Sequence, residues 1–306
     1  MIKINTQTKI YGIIGYPLGH TFSPVIHNTA FQAANINAVY LAFPIKNLIN
    51  LKAAMKKLNI HGVSVTIPHK IKVMRLVDKI DSLAVQIGSV NTVLWNKAGL
   101  LEGYNTDGLG AVEAIKEKME IKGKNVLIIG SGGSARAIGI SLLKEAPAKI
   151  GILSRNNKSA VQLIKNLRLI KKSPKLEFYF FNNDKTQNFK SKDLKRWSTT
   201  VLSNSSQLKE FDLIINTTPI GMKGYTFENQ TPLNSEYLFS HQTVFDIVYN
   251  PKETPLIKLC KKKKINIIYG HKMLLYQAAH QFKLFTGQTA PLKEMESALQ
   301  KELLIK

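Results

Sequence analysis

Three places in the 306-residue chain combine residue types with chemistry to offer. The first is Asn125–Arg136, NVLIIGSGGSAR, where a continuous apolar run stops at a cluster of glycines and small residues. An apolar run of this kind is a strand buried on both faces, and Ser134, Ala135 and Ala137 open a helix directly after it. Gly130 permits the tight turn, Gly132 lets backbone N–H groups approach a pyrophosphate, and Ala135 takes the third small position, where the helix packs on the strand. The next strand, Ala148–Leu153, ends in Ser154, Arg155, Asn156, Asn157 and Lys158. A site for NAD places an acid there to hold the ribose 2′-hydroxyl. Here Arg155 stands in that place, with Lys158 close by, which suits a 2′-phosphate and points to NADP. The competing reading is that both cations simply face water.

The second and third places lie earlier. In VTIPHK, Pro68 is suited to start a helix, which would put Lys70 in the first turn, against the helix dipole. Such a lysine either snorkels to water or, beside a desolvated cleft, transfers protons. Asp107, in YNTDG, either caps the helix that follows or faces a cleft at a domain junction. Near the amino terminus Thr21 and Ser23 precede and open a helix. Ser23 reads as its N-cap and Pro24 as its first residue; the two hydroxyls beside free N–H groups also suit a carboxylate, although spacing alone favours capping.

The elements that must carry these groups alternate. Lys9–Gly15 reads as a strand. A helix of about a dozen residues starts at Ser23, with Val25, Ile26, Ala30, Phe31 and Ala34 on its apolar side. Ala38–Pro44 is a second strand, Asn47–Leu58 an amphipathic helix and Gly62–Ile67 a third strand, which together suggest a mostly parallel sheet. Asp81–Ile87 is a short helix, two strands flank the turn Asn96–Gly99, and Leu109–Met119 is a helix. Beyond the first two strands of the glycine-loop region come helix Ser159–Ile170, strand Lys175–Phe181 and a polar surface insertion at 182–210 with room for a short helix. Strands follow at Asp212–Asn216, Thr243–Tyr249 and Ile265–Tyr269, with helix Pro255–Lys262 between the last two. The chain closes with helices Lys272–Phe285 and Pro291–Leu304.

Length favours two domains. A hydrophobic content of 44% excludes disorder. No run reaches the roughly 18 uncharged apolar residues of a membrane span. The opening MIKINTQTKIYGIIG lacks the order of a signal peptide and reads as a first strand. Cys260 is the single cysteine, so no intrachain disulfide forms and a reducing cytoplasm fits. The formal charge of +23 raises nucleic acid as a partner. Yet the excess is spread out, without zinc-finger spacing or interleaved aromatics. Lys261–Lys264 is the one tight cluster and reads as a solvated turn at a helix end. Residues 156–200 hold eleven basic and three acidic side chains, a field that favours encounter with anionic small molecules.

Taken together the motifs resemble the shikimate dehydrogenase family, in order through nearly the whole chain. The family's His-Ser-x-Ser-Pro opening is similar to His20–Pro24, followed by His27-Asn28, and its Asn-Val-Thr-x-Pro-x-Lys segment to Ser64–Lys70. Gly88–Thr92, Asn105–Gly108, the glycine loop, Asn216–Met222, Tyr249–Pro251 and Gly270–Gln277 continue the likeness. The resemblance implies reversible NADPH-dependent reduction of 3-dehydroshikimate to shikimate, in aromatic amino acid biosynthesis. Lys70 and Asp107 would then be the catalytic pair. Thr21 and Ser23 would hold the carboxylate, which reverses the preference for capping alone, and Thr66, Asn91, Asp107, Tyr249 and Gln277 would bind around the ring hydroxyls. Gly130, Ser131, Gly132, Gly133, Ser134, Ser154, Arg155, Lys158, Thr217, Ile247 and Gly270 would hold NADP, with no metal. The implied fold is α/β in two domains. A mostly parallel substrate domain is built from residues 1–106 and the returning helices of 271–306, and a Rossmann-like NADP domain from 107–270. Partners would be small molecules, and the state a monomer or homodimer. A quinate/shikimate dehydrogenase with relaxed NAD/NADP use is the alternative. Thr21 stands where serine is commonest, Ser64 where asparagine is usual, Ser154 and Asn156 flank Arg155 in place of Asn and Thr, and His271-Lys272 replaces Leu-Gly.

Overall fold

A computed structural model of the chain describes residues 4–19, 21–170, 174–181, 199–202 and 205–305. It divides into two compact units, Met1–Gly110 with Leu274–Lys306, and Ala111–Met273. Both boundaries fall inside helices, one turn past the positions the sequence motifs mark.

The first unit runs β1 (Lys9–Gly15), α1 (Ser23–Ala33), β2 (Ala38–Pro44), α2 (Leu51–Lys57), β3 (Ile60–Val65), β4 (Lys79–Ile80), α3 (Ser82–Ile87), β5 (Thr92–Trp95), β6 (Leu101–Tyr104) and the start of α4 (Asp107–Lys116). Its sheet has the order β2-β1-β3-β5-β6-β4. β1 pairs in parallel with β2 and β3, and the hairpin β5–β6 joins β3 antiparallel. Alternation of side chains sorts the sheet's two faces. Ile14, Val63, Val65, Val93 and Leu101 are buried in one core with Leu51 and Met55 of α2.

The second unit holds β7 (Asn125–Ile129), α5 (Gly133–Leu142), β8 (Lys149–Leu153), α6 (Asn157–Arg168), β9 (Lys175–Phe181), β10 (Thr199–Leu202), β11 (Leu213–Asn216), β12 (Thr243–Asp246), α7 (Pro255–Lys262) and β13 (Asn266–Tyr269). Its seven strands lie in the order β10-β9-β8-β7-β11-β12-β13, and every neighbouring pair is parallel. From β7 the chain builds outward on one side and then returns to build on the other, so a crevice opens beyond the carboxyl end of β7. Val126, Leu127 and Ile128 are fully buried, as an unbroken apolar run in a two-sided sheet requires. Helix α8 (Gly270–Thr286), from Leu274 onward, and α9 (Leu292–Ile305) complete the first unit. There the Tyr11 hydroxyl donates to the Phe285 carbonyl at 2.9 Å, and a Cβ on Gly62 would lie 2.8 Å from the Phe285 ring. No helix among the described residues is long and apolar enough to cross a membrane.

Several local expectations change. Ser23 is not the N-cap of α1: Phe22 holds that position, and the Ser23 amide donates to Thr21 Oγ1 at 3.3 Å. Val25 is exposed, because α1 buries Ile26, His27, Ala30 and Phe31 instead. Pro68 opens no helix; the Ile67–Pro68 peptide is cis, and the first helical turn, a 3-10 segment, waits until Lys72–Arg75. α2 starts later than expected, after a left-handed Asn50. Asp81 caps α3 by accepting from the Leu83 amide. Within 182–210, residues 182–198, 203 and 204 lie outside the described residues, but Thr199–Leu202 extends the sheet in register with Phe178–Phe181. In the Lys261–Lys264 cluster, Lys261 pairs with Glu253 and Lys263 donates to the Leu238 carbonyl at 2.8 Å, so the turn is tethered as well as solvated.

One polar cluster sits against the second unit's sheet. Lys149 Nζ lies 3.1 Å from Glu177 and 2.7 Å from Glu210, while the Tyr179 hydroxyl donates to Glu177 and lies 2.8 Å from the Glu210 carboxylate. Burial by itself raises the Glu177 pKa, but hydrogen bonds from Lys175, Tyr179 and Lys149 outweigh it and the carboxyl is held at about 2. A depressed carboxylate contributes stability that is fully present above its unfolded value of about 4.5 and is lost as pH falls through about 2. Glu177→Gln is therefore expected to cost on the order of 3 kcal/mol near neutrality. The gap to wild type should close across that acid window in urea melts followed by circular dichroism, and a pH-independent gap would reject the assignment.

Candidate active site

In the first unit the backbone of Lys70 is fixed on all sides before its side chain is considered. Past the end of β3 the Thr66 amide donates to Ile14 O and the Tyr16 amide to Ile67 O, both at 3.0 Å, so pairing with β1 runs on to the cis proline. The His69 amide closes a turn on Thr66 O, and the Lys70 carbonyl accepts from Val90 N at 2.8 Å. His69 itself is buried, with Nε2 2.8 Å from the Ile45 carbonyl. Gly15 makes room for Thr66, whose methyl would lie 2.4 Å from a Cβ placed there.

Lys70 Nζ donates to Asp107 Oδ2 at 2.6 Å. Side-chain exposure of 29% for the lysine and 13% for the aspartate keeps the pair reachable yet largely shielded from solvent. Asp107 is the first residue of α4, and its amide donates to Asn105 Oδ1, so an Asx turn aims the carboxylate. Its Oδ1 accepts from Asn91 Nδ2 at 2.8 Å. Asn91 is buried. Its Oδ1 accepts from the Thr106 amide at 2.9 Å and the Thr92 hydroxyl at 2.7 Å, and its second amide proton goes to Thr106 Oγ1. Lys70, Asp107 and Asn91 thus form one hydrogen-bonded group from three separate stretches of chain.

The remaining residues the motifs single out are placed differently. Thr66 is half-buried at the end of β3, four residues before Lys70. Thr21 and Ser23 flank the amino terminus of α1, and His20 lies outside the described residues. Gln277 is buried on α8 and donates to Leu274 O within its own helix. Tyr249 belongs to the second unit, three residues past β12. Two residues given no role in the sequence reading contact Asn91 directly: Thr92, the last residue of the Gly88–Thr92 motif, and Gln281, which lies outside every motif. The one available signal for Gln281 is its spacing of four from Gln277, which puts both on one helix face.

In the second unit, Gly130 takes φ +110° between β7 and α5, and a Cβ there would lie 2.5 Å from Thr217 Oγ1. Thr217 bonds Ile129 O through both its hydroxyl and its amide. Gly132 is the N-cap of α5, and a Cβ at Gly132 or Gly133 would meet nothing within 4 Å, which leaves the helix amino terminus open to a ligand. Ser131 Oγ lies 2.8 Å from Ser154 Oγ and 2.6 Å from Ser159 Oγ, tying the glycine loop to the ends of β8 and α6. Ser134 is in the first turn of α5. Ile247 and Gly270 meet at the same carboxyl edge, where a Cβ on Gly270 would lie 2.4 Å from the Ile247 carbonyl. A cleft of about 770 Å³ is lined by Gly130, Ser154, Arg155, Lys158, Thr218 and Phe227, among others, and none of the described residues lining it is acidic. The Arg155 guanidinium sits 5.8 Å from the centre of the Phe227 ring. Open glycine backbone at a helix amino terminus, hydroxyl groups, two cations and no carboxylate are the donor set for a dinucleotide with an extra phosphate, and NADP fits.

The family model described as the shikimate dehydrogenase substrate binding domain matches residues 13–93, and the shikimate 5′-dehydrogenase C-terminal domain matches 270–300. A relative from Methanobrevibacter smithii named shikimate dehydrogenase (NADP(+)) is 39% identical over 302 residues, 98% of this chain and 99% of that protein. The chain belongs to the shikimate dehydrogenase family. Two solved structures of shikimate dehydrogenases share its fold. A crystal structure of a shikimate dehydrogenase in complex with NADP+ superposes with a TM-score of 0.84 at 37% identity, covering 98% of both chains. The shikimate 5-dehydrogenase of Listeria monocytogenes, in complex with shikimate and NAD, gives 0.82 at 28% identity, covering 97% of this chain and 98% of that one.

Proposed function

We propose that the protein catalyses the reversible NADPH-dependent reduction of 3-dehydroshikimate to shikimate, in the pathway to chorismate and the aromatic amino acids. The observation that carries this reading is the 2.6 Å contact between Lys70 Nζ and Asp107 Oδ2, backed by Asn91 on the other carboxylate oxygen. When bound, NADPH supplies the hydride to C3. The rest falls to the chain's own groups. Lys70 has three N–H donors, and Asp107 takes one, leaving donors for the oxygen on C3. In reduction Lys70 gives that oxygen a proton as negative charge develops on it; in oxidation it takes the proton back. Asp107 keeps the ammonium aimed, and Asn91 and the Asx turn keep Asp107 aimed.

Thr21 and Ser23, beside the amino-terminal amides of α1, receive the substrate carboxylate. Thr66, Asn91, Tyr249 and Gln277 bind around the ring hydroxyls. NADP is held by the loop Gly130–Ser134, by Ser154, Arg155 and Lys158 around the 2′-phosphate, and by Thr217, Ile247 and Gly270 along the carboxyl edge. We assign the enzyme to the cytoplasm, as a monomer or homodimer, with small molecules rather than nucleic acid or membrane as partners.

The test compares kcat/KM for shikimate and quinate with NADP and NAD. Shikimate with NADP is expected to exceed each other pairing by at least roughly tenfold, because a 2′-phosphate gains charge-assisted hydrogen bonds that a hydroxyl does not. The NAD in the Listeria relative and the added methyl of Thr21 are the reasons to include the other pairings. Comparable values for quinate or NAD establish the broader quinate/shikimate activity, and no oxidation of shikimate with NADP at any pH removes the assignment.

A further inference from the structure

Behind the Lys70–Asp107 pair lies a file of buried polar side chains with Gln281, 1% exposed, at its centre. Its Nε2 donates to the Asn91 carbonyl at 3.3 Å and to Thr92 Oγ1 at 3.0 Å. Its Oε1 accepts from Ser64 Oγ at 2.8 Å and faces His27 Nε2 at 3.3 Å. The orientation of this amide is determined by its surroundings. A main-chain carbonyl can only accept, so the NH2 end must face Asn91, and Ser64 and His27 must donate to the other end. The Tyr40 hydroxyl donates to Ser64 at 2.6 Å, which leaves the serine proton to go forward to Gln281. Burial lowers the His27 pKa to about 4, so near neutrality the ring is uncharged and its one proton serves Nε2.

The direction continues toward the carboxylate. With a Thr92 lone pair filled by Gln281, the threonine's only proton goes to Asn91 Oδ1, and Asn91 Nδ2 is left to face Asp107. Donors and acceptors thus run in a single sense from Tyr40 through Ser64, Gln281, Thr92 and Asn91 to Asp107. Ser64 stands where the family's motif has an asparagine. Its hydroxyl is shorter than that side chain, and the amide beside it comes from α8.

We propose that Gln281 is the positioning residue of the Lys70–Asp107 pair, holding the main chain of Asn91 directly and its side-chain amide through the Thr92 hydroxyl. The inference rests on the functional reading above. Gln281 touches neither reacting group; its effect reaches Asp107 only through Asn91.

Gln281→Met keeps the volume and removes the amide, and Thr92→Val keeps the shape and removes the bridge, so the second decides the matter if the first does not fold. Each is made alone and with Asn91→Ala. Alone, each is expected to lower kcat by roughly tenfold with a smaller change in KM, and to add less than about twofold once Asn91 is alanine, since coupled residues are not additive. Equal losses in both backgrounds, or no loss in either, would overturn the proposal. Nitrogen–proton correlation spectra give a readout independent of turnover: the Asn91 side-chain amide signals should shift and broaden in both single variants. Unchanged signals also overturn it, whether or not shikimate proves to be the substrate.

Discussion

Lys70→Ala lowers kcat for shikimate oxidation by roughly 10² to 10⁴, the usual worth of a positioned general acid–base group. Among the described residues of the first unit, the ammonium is the one group that pairs with Asp107 while keeping spare donors, and its truncation leaves the C3 oxygen without a proton partner. Lys70→Arg should not restore turnover. A guanidinium keeps the charge and the ion pair but does not release its proton in the working pH range. Folding should survive, because Asp107 keeps its hydrogen bond from Asn91 Nδ2 when the ammonium is gone and so is not left unpartnered. NADP affinity, measured by fluorescence titration, should stay within about twofold, because the residues assigned to the cofactor lie in the other unit. Wild-type kcat in a folded Lys70→Ala protein would mean that another group moves the proton.

Arg155→Ala raises KM for NADP by roughly 10- to 100-fold and changes KM for NAD by less than about twofold. The magnitude follows from losing hydrogen bonds between a guanidinium and a phosphate, each worth about 1.5–3 kcal/mol. The selectivity follows from where Arg155 sits, just past the end of β8 in a cleft whose described lining contains no carboxylate. Lys158 lines the same cleft, so the double variant Arg155→Ala, Lys158→Ala should lose more for NADP than either alone, and the loss should shrink as salt rises. The contact with Phe227 offers a different outcome to look for. If NAD and NADP lose affinity equally, the guanidinium serves the part common to both cofactors, and the 2′-phosphate is held elsewhere.

How legible these features were depends on how local their causes are. β7 and the glycine turn after it could be read because an unbroken apolar run and a left-handed backbone each have a strong residue signature. The β5–β6 hairpin was equally local. Ser23 and Pro68 misled for a common reason: each looks like a helix start by type, but neighbours decided its role. Ser23 is buried on the first turn of α1, with Tyr40 as a partner, and Thr21 accepts its amide instead. Pro68 sits in a turn that continues the pairing of β3 with β1. β10 was missed because four short residues after a polar stretch carry little periodicity, and only pairing with β9 makes them a strand.

By itself the sequence determined the kinds of groups this protein has to work with: a dinucleotide loop followed by cations rather than an acid, a lysine and an aspartate in separate motifs, and a two-part α/β chain. Each of those follows from residue type and short-range spacing, which physical chemistry ties to local conformation. Only the tertiary structure decided that Lys70 and Asp107 meet at 2.6 Å, that Asn91 orients the carboxylate, and that Gln281 stands behind it. Those contacts join residues 37, 16 and 189 positions apart. No local propensity carries that information; it arises when the strands and the returning helix α8 bury their apolar faces and leave the polar groups between them to find one mutually satisfied arrangement.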